Sequence, residues 1–240
     1  MENNFLKNIK TLDKNKKENF ISQIFSNVSK QYDFMNDLMS LGLHRTWKEK
    51  LIDIMDINND SVILDLASGS GDLTKIVKKQ FSCDCIVFDS NLEMINQAKI
   101  KLQDFKIKYI NGNAESLPFK KNFFDHVMVS FGLRNFTDIE RSLNEVHRIL
   151  RKNGKFFCME FSEINNITLR KIFFLYSKII PIYGKFFSNN KVAYEYLIES
   201  IRNFPNQIQL TKKLKKAGFE RIEVIDIMGG LASIHISEKK

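Results

Sequence analysis

The chain is poor in the residues that build metal centres and disulfide scaffolds. Its three cysteines, Cys83, Cys85 and Cys158, are odd in number and fall in strand-like segments. That excludes a disulfide framework and fits a reducing compartment. The four histidines, His44, His126, His147 and His235, are scattered, so Cys83-x-Cys85 lacks partner ligands and no metal is expected. No uninterrupted apolar run reaches the length of about 18 residues that spans a bilayer. The opening MENNFLKNIKTLDKNKKENF has neither the apolar centre of a signal peptide nor the Arg-rich, acid-poor pattern of a transit peptide. A cytoplasmic protein is expected.

What is present is globular. Hydrophobic residues make up 43% and aromatic residues 12%, mostly as 21 Phe, which implies large apolar walls. A chain of 240 residues can bury one large α/β domain. The net charge of +9 comes mainly from Lys spread along the chain among Asn and Ile. No Lys/Arg block is interleaved with aromatics, so a nucleic-acid partner is not expected.

The pattern along the chain divides a single domain 1–240 into five stretches. Residues 1–19 form a polar tail that is loose or weakly helical. Residues 20–60 read as an N-terminal helical segment, helical from Phe20 to about Ile57. Residues 61–162 alternate strand and helix: strands at 61–66, 83–88, 107–110, 125–130 and 155–161, with helices between. Thr137-x-x-Glu140 has capping-box spacing and opens the helix that runs to Leu150. Residues 163–204 are strongly apolar and helical. Residues 205–240 hold a last helix, with Pro205 in its first turn and Gly218 at its stop, and two strands joined by Met228-Gly-Gly. The fold expected is α/β: a doubly wound, mainly parallel, seven-stranded Rossmann-like sheet ending in an antiparallel hairpin, with N-terminal helices and a helical cap after the fifth strand. That ending is characteristic of S-adenosylmethionine-dependent methyltransferases.

Candidate site residues stand at the ends of the strands. Asp65-Leu-Ala-Ser-Gly69-Ser-Gly71-Asp-Leu-Thr74 lies where a strand feeds a helix, and its glycines let the backbone turn sharply and a ligand approach closely. Thr74 replaces the third glycine of the dinucleotide fingerprint, which disfavours NAD and FAD. Asp89 ends the second strand and suits ribose hydroxyls, Asn113-Ala114 follows the third where an adenine edge would be gripped, and Ser130 ends the fourth. Together they mark a crevice at the carboxyl ends of the strands as a cofactor site, and the Asp65-x-Ala67-x-Gly69-x-Gly71 pattern resembles the methyltransferase loop that holds the amino-acid end of S-adenosylmethionine.

Tyr32-Asp33-x-Met35-Asn36-x-x-Met39-Ser40-x-x-x-His44-x-x-Trp47 resembles a signature of the ubiquinone/menaquinone biosynthesis C-methyltransferases. Arg148-Ile-Leu-Arg-Lys-Asn-Gly154-Lys-Phe-Phe-Cys-Met-Glu160-Phe-Ser162 resembles a second one, with Arg151-Lys-Asn-Gly154 in place of the usual Lys-Pro-Gly-Gly turn. Ser130-Phe-Gly-Leu-Arg134-Asn135 and Tyr196-Leu-Ile-Glu-Ser200-Ile-Arg202 extend the likeness to roughly 20–237. The resemblance implies methyl transfer to a ring carbon of a polyprenylated quinol, either a demethylmenaquinol or a benzoquinol counterpart. It also implies Thr74, Asp89, Asn113, Ala114 and Ser130 as cofactor contacts, and peripheral association with the inner face of the membrane. A homodimer or a complex of quinone biosynthesis is left open.

The chemistry needs a phenolate. A hydroxyl with pKa near ~10 must lose its proton near neutrality, which costs roughly 4 kcal/mol. A cation in a dry pocket supplies much of that. Arg134, just past Ser130, is the candidate, with water or His44 taking the proton. Asn135 is placed to orient the ring oxygen, and Tyr32 and Asn36 to receive the quinol head. The competing readings are a salt bridge from Arg134 to Asp138 and a surface position for His44. The segment from Ile172 to Phe187 reads either as an apolar cap over the prenyl tail, dipping into the membrane interface, or as two packed core helices. Rival functions are a small-molecule O-methyltransferase, a nucleic-acid methyltransferase and a scaffold that keeps only the cofactor fold. The fourth strand lacks the Asp/Asn-Pro-Pro-aromatic stretch and the Cys nucleophile of the nucleic-acid enzymes.

Overall fold

The structure, a computed structural model, describes residues 13–28, 32–176 and 191–240. Seven strands form one sheet: β1 (Val62–Leu66), β2 (Asp84–Asp89), β3 (Lys108–Asn111), β4 (Phe124–Ser130), β5 (Leu150–Phe161), β6 (Glu220–Ile227) and β7 (Ala232–Glu238). Their order is β3-β2-β1-β4-β5-β7-β6. The first five pair in parallel, and β7 runs antiparallel to both β5 and β6. The doubly wound sheet and its closing hairpin are as expected. The order reverses between β1 and β4, where such a sheet opens a crevice at its carboxyl edge.

Helices α1 (Lys14–Val28), α2 (Tyr32–Ser40) and α3 (His44–Asp53) precede the sheet. Crossovers are made by α4 (Asp72–Gln80), α5 (Leu92–Lys101) and α6 (Ile139–Ile149). After β5 come a helix described over 167–176 (α7), then α8 (Lys191–Asn203) and α9 (Gln207–Lys216).

Side chains of a strand alternate between faces, and both faces of this sheet are covered. Ile63, Met128, Phe157 and Met159 join one apolar layer beneath Trp47, Leu51 and Leu197. Leu64, Val127, Phe156 and Cys158 join the other beneath Val146, Leu210 and Leu214. By this alternation Asp65 and Ser130 share the face covered by the N-terminal helices. That puts the polar ends of β1 and β4 under the segment expected to bind the acceptor.

Of four local expectations, two are refined and two, at Thr137 and Pro205, are corrected. The helical stretch from Phe20 to about Ile57 divides among three helices. Leu41 and Gly42 adopt left-handed conformations (φ 55° and 78°), and the Gly42 N–H returns to the Asp37 carbonyl at 2.8 Å, which ends α2. Ser40 Oγ then receives the His44 N–H at 3.0 Å and starts α3. Thr137 is not the cap of α6. Asp138 is extended there and accepts the Arg141 N–H at 3.0 Å, while the Glu140 carboxylate is taken by Lys213 and Lys216 of α9. Pro205 lies outside the last helix, which begins after Asn206 with a full capping box to Gln209. The polar tail gives way to α1 already at Lys14.

Candidate active site

β1 leaves the sheet through Ala67 and Gly69, both at left-handed φ (51° and 55°), and Gly71 at 82° caps α4. Asp65 lies beneath this loop and accepts both the N–H and the hydroxyl of Thr74 on Oδ2, at 3.2 and 2.7 Å. Thr74 is therefore fully buried and turned inward; its side chain lines none of the described cavities. Burial pushes the Asp65 carboxyl up to about 7, against the hydrogen bonds from Thr74.

Asp89 ends β2 facing the loop. Its Oδ2 accepts the Gly69 N–H at 2.9 Å and its Oδ1 the Asn91 N–H at 2.8 Å, which fixes the carboxylate while leaving lone pairs for a ligand. Burial raises its pKa above the ordinary carboxylate value. Asp89, Phe88, Asn113, Ala114 and Asn135 line a cavity of about 290 Å³, roofed by Glu18, Ile21 and Ser22 of α1. Asn113 is held by the Glu115 N–H on its Oδ1 and donates to Glu18 at 3.1 Å. A recess of about 80 Å³ carries the space on to Gly69, Phe25 and Phe131. Gly132 borders this recess because nothing larger fits: a Cβ there would stand 2.7 Å from the Ala67 Cβ.

A second, tighter pocket of about 10 Å³ lies behind the loop, lined by Lys48, Asp65, Ser68, Asp72 and Ser130. Ser68 Oγ and Ser130 Oγ are buried there with no hydrogen-bond partner among the described residues.

Arg134 sits in a 3₁₀ turn, Leu133–Asn135, directly after β4. Its guanidinium is fully buried and paired with Glu160 at the end of β5, Nη1 to Oε2 at 2.9 Å. Nη1 also donates to the Phe131 carbonyl, and the Arg134 N–H donates to Glu160 Oε1 at 3.1 Å. The salt bridge to Asp138 is not formed. Nε and Nη2 have no partner among the described residues. The Phe131 and Phe161 rings lie 6.0 and 5.8 Å from the guanidinium carbon, and Trp47 packs on both rings. Next to it, Asn135 Oδ1 accepts the Tyr196 hydroxyl at 2.9 Å, which turns its amide nitrogen away from Tyr196. Arg134 and Tyr196 line a wider cavity of about 530 Å³, while Asn135 lines the 290 Å³ cavity and Phe136 borders both. The turn 133–136 thus stands between the two spaces.

His44 is 1% exposed, so it is not a surface residue. Its Nε2 meets Asp37 Oδ1 at 3.0 Å, Asp37 is also gripped by Arg45, and Nδ1 has no partner among the described residues. Burial, then the charge of Lys48, lowers the His44 pKa, so the ring is neutral near pH 7. His44 borders none of the described cavities. Asn36 is buried, with Nδ2 unpartnered among the described residues. The side chain of Tyr32 lies outside the described residues, as does 177–190 of the apolar cap.

Three residues here were not picked out from the sequence. Glu160 is the buried partner of Arg134, although it stands within a quoted motif. Tyr196 orients Asn135. Lys48 reads on an amphipathic helix as a solvated charge, yet it is 5% exposed.

Residues 12–239 match the model of the ubiE/COQ5 methyltransferase family. The ubiquinone/menaquinone biosynthesis C-methyltransferase UbiE of Rickettsia prowazekii (strain Madrid E) is 45% identical over 241 residues, covering 96% of each chain. The protein of the same name from Methylococcus capsulatus is 39% identical, covering 94% of each. Among solved structures, a SAM-dependent methyltransferase of Thermotoga maritima, described as a possible histamine N-methyltransferase, superposes with a TM-score of 0.68 at 18% identity. It covers 92% of this chain and all of that one. At that identity the likeness shows the fold alone.

Proposed function

The chain belongs to the ubiE/COQ5 methyltransferase family, and on that premise we propose that it methylates a ring carbon of a polyprenylated quinol, with Arg134 holding the phenolate. The residues around the crevice fit S-adenosylmethionine. Asp89 is a fixed acceptor for ribose hydroxyls, and the gap between Phe88, Asn113 and Ala114 suits an adenine. The cofactor, when bound, supplies an electrophilic methyl group on a sulfonium. The protein must make the acceptor carbon nucleophilic and exclude water.

The observation that carries the reading is the half-satisfied guanidinium. Glu160 and the Phe131 carbonyl hold Arg134 by Nη1, which leaves Nε and Nη2 without partners among the described residues, in an aromatic surround. Such a buried donor pair is costly when empty and is satisfied by an oxyanion. Arg134 stabilises the anion without losing its own proton. Asn135, fixed by Tyr196, offers its amide N–H to a ring oxygen. A water, or the neutral His44 that Asp37 steadies, takes the proton.

The tail and the membrane follow from the apolar surfaces. A groove of about 410 Å³ between α7 and α8, lined by Met39, Phe173, Ile198 and Phe204, suits a prenyl chain, and Phe204 also borders the Arg134 cavity. Beside it α7 exposes Ile167, Ile172, Phe174 and Leu175, flanked by Arg170 and Lys171, as a face that rests on an anionic bilayer. No helix among the described residues is long and apolar enough to cross one.

Replacing Arg134 by Ala is expected to lower single-turnover methylation by about 10²-fold or more while cofactor affinity stays within a few-fold. A near-normal rate would remove the phenolate-stabilising role. Quinone extracts from cells lacking the protein are expected to accumulate a demethylated benzoquinone, naphthoquinone or both, which identifies the acceptor. Unchanged quinones would defeat the assignment.

A further inference from the structure

Lys48 has a geometry that the methyl-transfer chemistry above does not use. It projects from α3 one turn after His44 and is 5% exposed. Its Nζ donates to Asp72 Oδ2 at 2.6 Å and to no other group among the described residues, so two of its three N–H donors are unspent. Asp72 is shared with a second lysine. The other Asp72 oxygen receives Lys101 Nζ at 2.5 Å, and Lys101 also binds Ser70 Oγ at 2.8 Å. Two ammonium groups therefore face one carboxylate at the positive end of α4. Asp65, on the same pocket, is held up at about 7 by burial. The pocket's remaining polar walls are the unpartnered hydroxyls of Ser68 and Ser130. A buried cation with spare donors and two hydroxyls that have no partner among the described residues describe a site for an oxygen of a small anion. The space, about 10 Å³, admits one such oxygen and nothing bulkier.

We propose that Lys48, with the Ser68 and Ser130 hydroxyls, receives one oxygen of the carboxylate at the amino-acid end of S-adenosylmethionine. Lys48 thereby ties α3, which carries His44, to the loaded cofactor loop. The proposal rests on the cofactor reading above, and makes Lys48 a binding residue that links the cofactor to the acceptor-recognition segment.

Calorimetric titrations separate the possibilities when two ligands are compared. S-adenosylhomocysteine carries the carboxylate, and 5′-methylthioadenosine lacks the whole amino-acid end. Lys48→Met is expected to weaken S-adenosylhomocysteine about 10- to 100-fold, leave methylthioadenosine within about twofold, and be partly rescued by Lys48→Arg. Equal weakening of both ligands, or no weakening of the first, overturns the proposal. If the unmodified protein binds neither ligand, the cofactor reading itself fails and the proposal falls with it. Hydrogen exchange on the unmodified protein avoids any dependence on the variant's folding. S-adenosylhomocysteine, and not methylthioadenosine, is expected to slow exchange across residues 44–53. No slowing by S-adenosylhomocysteine, or equal slowing by both, also overturns the link.

Discussion

Single residues in this molecule are defined by what burial does to their charge. Asp65 holds its proton in the folded chain up to about pH 7, against an ordinary value of 3.8. Between those values the folded state binds a proton that the unfolded state has released, so this group costs stability as pH rises through the window. Asp65→Asn keeps an acceptor for Thr74 without the charge. Its melting temperature is expected to improve relative to the parent on going from about pH 5 to about pH 8, by an amount worth a few kcal/mol at most. A difference between the two proteins that does not change with pH would show that Asp65 is ionised throughout. The sequence made Asp65, Asp89 and Arg134 legible because each stands just past or near a strand end, where a doubly wound sheet presents ligand groups. It could not reveal Glu160 as the partner of Arg134. That pairing joins the ends of β4 and β5, 26 residues apart, whereas the nearby Asp138 was spent on capping α6.

Whole elements were legible where apolar runs and turn residues agreed. β1, β2 and β4 stand within a residue or so of the expected bounds, because buried parallel strands read as short apolar runs. The N-terminal helices were less legible, since the apolar period continues across the break between α2 and α3. Only Gly42 marks that break, and a lone glycine inside a helical pattern is a weak signal. The Gly42 site is open, with nothing within 4 Å of an added Cβ, so its requirement is conformational and not steric. Gly42→Ala is accordingly expected to cost about 1 kcal/mol, read as a lower urea midpoint with an unchanged slope. No loss would mean that the turn tolerates a relaxed geometry. The last turn of α2 and the first of α3 are joined through Ser40, so this small hinge also sets where Asn36 and His44 stand.

At the scale of the molecule, polar and apolar business are divided between two sides of the carboxyl edge. The cavity proposed for the cofactor is roofed by α1, and the greasy face belongs to α7, where Ile172 and Leu175 are 58% and 61% exposed. Flotation with anionic vesicles is expected to carry the protein upward, and Ile172→Asp with Leu175→Asp to abolish this while calorimetric cofactor binding is kept. Equal flotation of the two proteins would assign that face another role. Tolerance to substitution is likewise shared between distant parts of the chain. Gly132 on the β4 side and Ala67 on the β1 side press so closely that only one of them can carry a methyl group, and Ala67 already occupies a backbone conformation suited to glycine. Varied singly, position 132 should look intolerant, with Gly132→Ala losing about 1 to 3 kcal/mol by chemical denaturation. Varied together, Ala67→Gly and Gly132→Ala should restore most of that loss. The two strand ends then behave as one inherited unit, in which the methyl group can change sides but cannot be doubled.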